Sequence, residues 1–345
     1  MGLAAEVVKA DFTFGEPTNL GPTVNSSSTD FDSSISPDGL SLYFGSNRPG
    51  GSGRYDLWVT TRATVSDPWE QPVNLGPTVN SSAWDSCPSI SADGLSLFFE
   101  SNRPGGVGDQ DIWVTSRPTP DSDWVPPVNL GPTVNSSAWD SCPYISADGL
   151  SLYFDSRRPG GSGTCDLWVT TRATVSDPWE QPVNLGPTVN SSASEYQPGI
   201  SADGLILFFF SNRPGGSGYD DIWVTSRPTP DSDWDPPVNL GPTVNSSARD
   251  ICPYISADGS TLYLTSERPG GQGGLDIWQA SVDPIVDFNG DRIVDAEDMC
   301  IIVDHWGTDN SLCDIGPMPW GDGVVDVQDL IVLAEHLFEE VPPAE

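Results

Sequence analysis

The stretch Ile35–Val59, "ISPDGLSLYFGSNRPGGSGRYDLWV", followed by Pro68–Gly76, "PWEQPVNLG", decides the fold. It holds four short runs rich in apolar residues, broken by Asp-Gly and Pro-Gly-Gly. In the Ser-Pro-Asp-Gly turn, Asp38 can bond its own backbone while Gly39 takes a positive φ, which is hairpin chemistry. The runs are of strand length, and none keeps the 3.6-residue period of a helix.

The same pattern returns every 55 residues: "NLGPTVNSS" begins at Asn19, Asn74, Asn129, Asn184 and Asn239. Leu57 to Ala83 recurs unchanged as Leu167 to Ala193, the mark of a duplicated two-unit block. A fixed period of this length means an array, solenoid or propeller, and four short strands per unit describe a propeller blade. The phase is informative too. The "W..PVNLG" strand is complete only after Trp69, Trp124, Trp179 and Trp234, and the fifth unit breaks off after "DIWQASVD". The missing strand lies at the other end, in "FGEPTNLG", with Phe14 in the Trp slot. The expected fold is an all-β, five-bladed β-propeller over residues 11–283, its N-terminal strand closing the last blade and removing open sheet edges. A piece of a larger ring is the weaker alternative.

The quoted stretch resembles the WD-like repeats of TolB-type β-propellers, across roughly residues 11–283. That family more usually has six or seven blades. The resemblance implies a propeller used mainly for protein contacts, in bacterial envelope or secreted proteins.

Composition narrows the partners. With 14 basic and 49 acidic residues the net charge is −35. Such a field repels nucleic acid and anionic membranes and attracts divalent cations or basic partners; a salt-adapted habitat would give the same bias. No apolar run approaches the ~18 residues of a membrane helix. "MGLAAEVVKADFTFGEP" lacks the charged and apolar regions of a signal peptide; the expected location is nonetheless extracellular or at the cell surface, with a truncated gene start as one explanation.

Most repeated residues read as structure. Asp38, Asp93, Asp148, Asp203 and Asp258 are turn residues. Asp56, Asp111, Asp166, Asp221 and Asp276 lie at a constant offset from Arg48, Arg103, Arg158, Arg213 and Arg268. That spacing suggests one ion pair or bonded turn per blade. "NSS" is formally a glycosylation acceptor, but Asn and Ser as turn caps explain it better.

A ligand site should show where the blades differ. Trp84 and Trp139 share a slot in which other blades carry Thr29, Ser194 and Arg249. They would stack on a sugar or a partner's side chain, or pack a loop over the blade. The next slot is acidic throughout, including Asp85 and Asp140: either a rim that binds cations or a set of caps on the inner strand. Cys87, Cys142 and Cys252 share a slot by descent, which argues weakly for pairing. Cys142 and Cys165 lie on one face and could bridge, although an intervening strand sets them about two strand spacings apart. Cys300 and Cys313 are the better disulfide candidates.

The only histidines, His305 and His336, lie beyond the repeats, so the propeller has no Ser-His-Asp triad. A glycosidase needs two carboxylates in unlike settings, and here the acids look repeated by rote. The expectation is therefore a non-enzymatic binding or scaffolding propeller, with a protein partner on its face. The alternative is a carbohydrate-active enzyme, a propeller glycoside hydrolase or lyase in polysaccharide breakdown.

Residues 285–341 differ. In "DFNGDRIVDAED", Asp287, Asn289 and Asp291 fall at positions 1, 3 and 5 of a twelve-residue calcium loop. Ile293 offers its carbonyl at 7, Asp295 falls at 9 and Asp298 at 12. Ca²⁺ takes hard oxygens at this spacing. Val294 at position 8 suits a loop paired with a second loop. That second loop has Asp322, Val324, Asp326 and Asp329 in register, with Met318 and Trp320 at positions 1 and 3. Asp314 serves as position 1 if "PMPW" is an insertion. Two loop–helix units resemble a dockerin type I module, which implies a small α-helical calcium-binding domain and a cohesin-type receptor. Ala296-Glu297 and Val327-Gln328 replace that family's usual partner-selecting hydroxyl pair. A calcium-stapled cap that docks on nothing is the plainer reading.

Overall fold

In a computed structural model the described residues are 12–289, 291, 293–308, 313–316 and 324–339. They fall into two compact units. One takes Glu16–Ala257 and Thr261–Ala280; the other takes the described parts of Met1–Gly15, Asp258–Ser260 and Ser281–Glu345.

The first unit holds five antiparallel sheets, one per repeat. In the first blade Asp30–Ile35, Ser41–Ser46, Asp56–Thr61 and Val73–Asn74 pair in chain order. The register sets Tyr43 opposite Val59 and Trp58 opposite Asn74. The other blades repeat this around Asp85–Ile90, Asp140–Ile145, Glu195–Ile200 and Asp250–Ile255. These five first strands touch one another in a closed cycle, so they line the axis. The second strands are buried on both faces between neighbouring blades, which is why "LSLYF" reads as a run rather than an alternation. Leu42, Phe44, Leu97, Phe99, Leu152 and Phe154 are fully buried there.

Closure follows the phase of the sequence. Thr18–Asn19 pairs with the last blade's third strand, Thr18 opposite Gln279 and Asn19 opposite Trp278. Phe12–Phe14 pairs further along that strand, with Phe12 opposite Pro284. Asn25 fastens the joint: its Oδ1 accepts from Ile277 N at 2.9 Å and its Nδ2 donates to Ile277 O at 2.9 Å. Asn80, Asn135, Asn190 and Asn245 do the same elsewhere and are buried, so "NSS" clamps a strand and is no glycan acceptor. Asn25→Ala strands the Ile277 N–H and should cost about 1–3 kcal/mol. A shift in denaturant midpoint at constant slope measures it; an unchanged midpoint would contradict this account of closure.

Of the two readings of these repeated ions the bonded turn holds for the acids Asp56, Asp111, Asp166, Asp221 and Asp276, while the arginines pair with other acids. Arg48 binds Asp30 at 2.5 Å and Arg103 binds Asp85 at 2.6 Å; Arg158, Arg213 and Arg268 bind Asp140, Glu195 and Asp250. Asp56 instead accepts from Ser52 N, Gly53 N and Asn74 Nδ2, closing the Pro-Gly-Gly loop. The acid nearer in sequence is occupied by its own turn, which leaves the arginine to the acid at the head of the first strand. Asp85 and Asp140 are therefore buried half-pairs and form no cation-binding rim.

In the second unit, helices Ala296–Asp304 and Val327–Glu335 pack around Val286, Val294, Ile302, Val325 and Leu333. Each helix begins with a capping box, Asp295 with Asp298 and Asp326 with Asp329. Among the described residues no helix is long and apolar enough to cross a membrane.

Candidate functional site

Each first strand carries a bulge near its middle, where the register slips. The residue there stands at positive φ: Asp32 at 55°, Cys87 at 50°, Cys142 at 48°, Gln197 at 49° and Cys252 at 58°. Non-glycine residues in this region are uncommon, and strain of this kind gathers at functional sites. The bulge turns these side chains toward one another. Asp32 Oδ2 receives Cys87 Sγ at 3.1 Å, its Oδ1 receives Cys252 Sγ at 2.8 Å, and Cys87 Sγ lies 2.6 Å from Cys142 Sγ.

Behind this ring stands a second set of unlike residues, Gly45, Glu100, Asp155, Phe210 and Thr265, one on each second strand. Where they can, they satisfy the bulge of the next blade: Asp155 Oδ1 accepts from Gln197 N at 3.0 Å, and Thr265 Oγ1 from Asp32 N at 3.3 Å. Gly45 leaves room instead, since a Cβ there would meet Phe31 and Ser86 at 3.2 Å. Ser86 donates to Glu100 Oε1 at 2.6 Å, and Ser141 to Asp155 Oδ2 at 2.8 Å.

Three carboxyl groups thus share a buried centre, and burial favours their neutral forms. Burial, then the charges of Asp32 and Asp155, pushes Glu100 up to about 8, against opposing hydrogen bonds from Ser86 and Cys142 N. Burial lifts Asp32 to about 6, held down by bonds from Cys252, Cys87 and Gln197. Asp155 is also raised by burial, against bonds from Gln197 N, Ser141, Cys165 and Cys142. Near neutral pH Glu100 keeps its proton while Asp32 is largely ionised. Acid and base of this kind are what a polar reaction needs.

Aromatic side chains overlie the acids. Trp84 Nε1 donates to Ser86 Oγ, which in turn holds Glu100. The Trp84 ring lies 4.5 Å from Tyr55, and Tyr55 lies 5.0 Å from Phe31. Tyr196 stacks on Phe210 at 5.1 Å. Trp139 is 38% exposed with Arg157 4.1 Å over its ring. Arg249 bonds Asp220 at 2.9 Å. Nearly all of these residues occupy positions where the five copies carry chemically unlike side chains. The repeats are otherwise close to identical, so their differences converge on one end of the axial ring.

The sequence reading found the Trp84 and Trp139 slot but missed Asp32, Glu100 and Asp155. The signal was present: these acids stand in slots reading Asp-Cys-Cys-Gln-Cys and Gly-Glu-Asp-Phe-Thr across the blades. Cys87, Cys142 and Glu100 bring ligand atoms within 4.8 Å of one another. The sulfurs are too close to share a tetrahedral zinc, whose thiolates stand roughly 3.8 Å apart.

In the tail, Asp298 is the hub of its loop. Its Oδ1 accepts from Phe288 N at 2.7 Å and Asn289 N at 3.2 Å, and its Oδ2 from Asp295 N at 2.9 Å. Asn289 Oδ1 accepts from Asp291 N, and Asp291 Oδ1 from Ile293 N. Asp329 repeats the pattern with Ile315 N at 2.6 Å, Gly316 N at 2.8 Å and Asp326 N at 2.6 Å. Ile315 therefore answers to Phe288, and Asp314 to Asp287. Val294 and Val325 do not pair loop to loop: Val294 bonds Phe338 and Glu339, and Val325 bonds Gly307 and Thr308. Each loop meets the chain leaving the other helix, because the two loop–helix units cross. Val324 is exposed, while Asp322, Met318 and Trp320 lie outside the described residues. Cys300 is an exposed free thiol and Cys313 a buried one, 3.7 Å from His305 Nδ1.

No family model matches the chain, and no curated protein matches it. Among solved structures it is similar to Zg3597, a family 117 glycoside hydrolase from the marine bacterium Zobellia galactanivorans. The identity is 12% and the TM-score 0.50, covering 79% of this chain and 90% of that one. It is also similar to a GH43_12 from a capybara gut metagenome, at 14% identity and TM-score 0.50, over 83% of this chain and 55% of that one. TolB from Acinetobacter baumannii matches at 16% identity and TM-score 0.42, over 72% of this chain and 51% of that one. The chain thus spans about half the length of the TolB it matches. These likenesses speak for the fold alone. They nevertheless correct the expectation of a chain that is not an enzyme: solved structures sharing this propeller fold include glycoside hydrolases. The premise of that expectation, acids repeated by rote, also fails at Asp32, Glu100 and Asp155.

Proposed function

We propose that the chain is a carbohydrate-active enzyme that cleaves glycosidic bonds at the variable end of the axial ring. The observation that carries this reading is the set of three non-repeated carboxyl groups beneath aromatic side chains, with Glu100 held neutral to about pH 8. Glu100 would protonate the departing glycosidic oxygen. Asp32, ionised above about pH 6, would activate water or stabilise positive charge at the anomeric carbon. Asp155 raises the acid's affinity for its proton. Trp84, Tyr55 and Trp139 offer ring faces on which pyranose rings stack. Glu100 is only 5% exposed and Asp32 2%, so the reading requires the Trp84 indole to leave Ser86 and the centre to open to the glycan. Release of reducing ends from a panel of plant and algal polysaccharides tests the reading. Trp84→Ala should then raise KM several-fold, and a panel with no release from the folded chain contradicts it.

The tail would attach this enzyme, as a dockerin-like module, to a cohesin-type receptor in the extracellular space or on a cell surface. Its donor set fits Ca²⁺: Asp287, Asn289, Asp291, Asp295 and Asp298, with the Ile293 carbonyl, are all hard oxygens on one loop folded about Asp298. Asp314, Asp322, Asp326 and Asp329, with the Val324 carbonyl, would hold a second ion. Calcium would neutralise crowded carboxylates and tie each loop to its helix. Calcium should raise the tail's melting temperature, a chelator should reverse the gain, and Asp291→Ala should remove most of it. A tail whose melting ignores calcium rules the assignment out.

A further inference from the structure

We propose that Cys87 and Cys142 form a disulfide joining the innermost strands of the second and third blades. Both are free thiols in the structure, and their sulfurs stand 2.6 Å apart, inside the roughly 3.5–4 Å at which non-bonded atoms of this size touch. A shared metal does not explain the approach, because zinc thiolates sit farther apart, whereas a covalent bond needs only a further small closure. The placement follows from the bulges. Both residues hold the same left-handed backbone, φ 50° and 48°, on adjacent strands of the axial ring, and their Sγ atoms meet across one blade boundary. Cys252 Sγ lies on Asp32 Oδ1 at 2.8 Å and Cys165 Sγ on Asp155 Oδ2 at 3.3 Å; Cys87 also donates to Asp32, at 3.1 Å, a bond that the disulfide replaces.

The chemistry balances by exchange with a small-molecule disulfide such as oxidised glutathione. The Cys87 thiolate attacks one of its sulfurs and releases a glutathione thiolate. The Cys142 thiolate then attacks Cys87 Sγ and releases the second. Two protons and two electrons pass from the protein to glutathione. Burial pushes both thiols well above their usual range, with nearby carboxylates adding to it. Exchange therefore belongs to folding, before the ring seals, and the finished bond is shielded from reductant.

The test uses the full chain, refolded in a glutathione redox buffer, then unfolded in N-ethylmaleimide without reductant. Of the six cysteines, the expected result is that all but Cys87 and Cys142 are alkylated. Peptide mapping should link those two, and Cys252→Ser should keep the link. Cys142→Ser should leave Cys87 alkylated and lower the melting temperature by roughly 5–10 °C, as reduction of the unfolded native chain before refolding should. Alkylation of both Cys87 and Cys142, a link mapped to Cys252, or one equivalent of zinc released from the folded chain would each overturn the proposal. These outcomes are read by mass and do not depend on turnover, so they stand apart from the enzymatic reading.

Discussion

Arg103→Met is expected to destabilise the propeller by about 3–5 kcal/mol, among the largest effects of any single change. Arg103 Nη2 donates to Asp85 Oδ1 at 2.6 Å and to Val79 O at 2.7 Å, while Nε donates to Ser101 Oγ at 3.0 Å. Its guanidinium lies 5.0 Å from the Phe99 ring and 5.3 Å from that of Trp113. Methionine can fill this slot between aromatic rings, but it leaves the Asp85 charge buried without its counter-charge. Ser81 and Ser101 still donate to Asp85, which sets the loss toward the lower end of the range. Arg103→Lys keeps the charge but cannot hold three acceptors with a planar fork, so most of the loss should remain. Asp85→Asn with Arg103→Met should recover part of it. Chemical unfolding of the four proteins measures these differences. Equal midpoints for native and Arg103→Met would show that the five repeated pairs are dispensable.

Glu100→Gln should lower glycan cleavage by about 10²–10⁴-fold while leaving the fold intact. Glutamine keeps the shape and can still meet Ser86, but it has no proton to give. The same change separates catalysis from stability through pH. The carboxyl's folded pKa, about 8, lies above its ordinary value of 4.5. Its contribution to stability is complete below the ordinary value and is lost as pH rises through about 8. Above that pH the native chain must bury a charge and the Gln variant need not. The variant should therefore melt higher than native at alkaline pH and nearly level with it at acid pH. A residue with a purely structural role would not combine lost turnover with gained alkaline stability.

The fold was legible because its determinants are local and repeated. Asp-Gly and Pro-Gly-Gly turns mark the strands, and the displaced "FGEPTNLG" shows where the ring joins. Partner choice was less legible. Arg48 is nearer in sequence to Asp56, and only the fold shows that Asp56 is committed to its own turn while Asp30 waits at the axis. The candidate site was hardest to see. Glu100 and Asp155 lie on second strands and Asp32 on a first strand, in three different blades. Nothing in their spacing brings them together until the ring closes and the bulges turn inward. Trp84 was visible because its slot breaks the repeat. The acids break it as well, but beside the fixed turn and arginine-paired acids their difference in kind was masked.

Reducing-end release as a function of pH tests the central claim most directly. The account predicts turnover of at least one polysaccharide with a bell-shaped profile. The rate should fall below about pH 6 as Asp32 takes up its proton, and above about pH 8 as Glu100 loses its own. Absence of turnover at every pH, or a profile unchanged by Glu100→Gln, would contradict it.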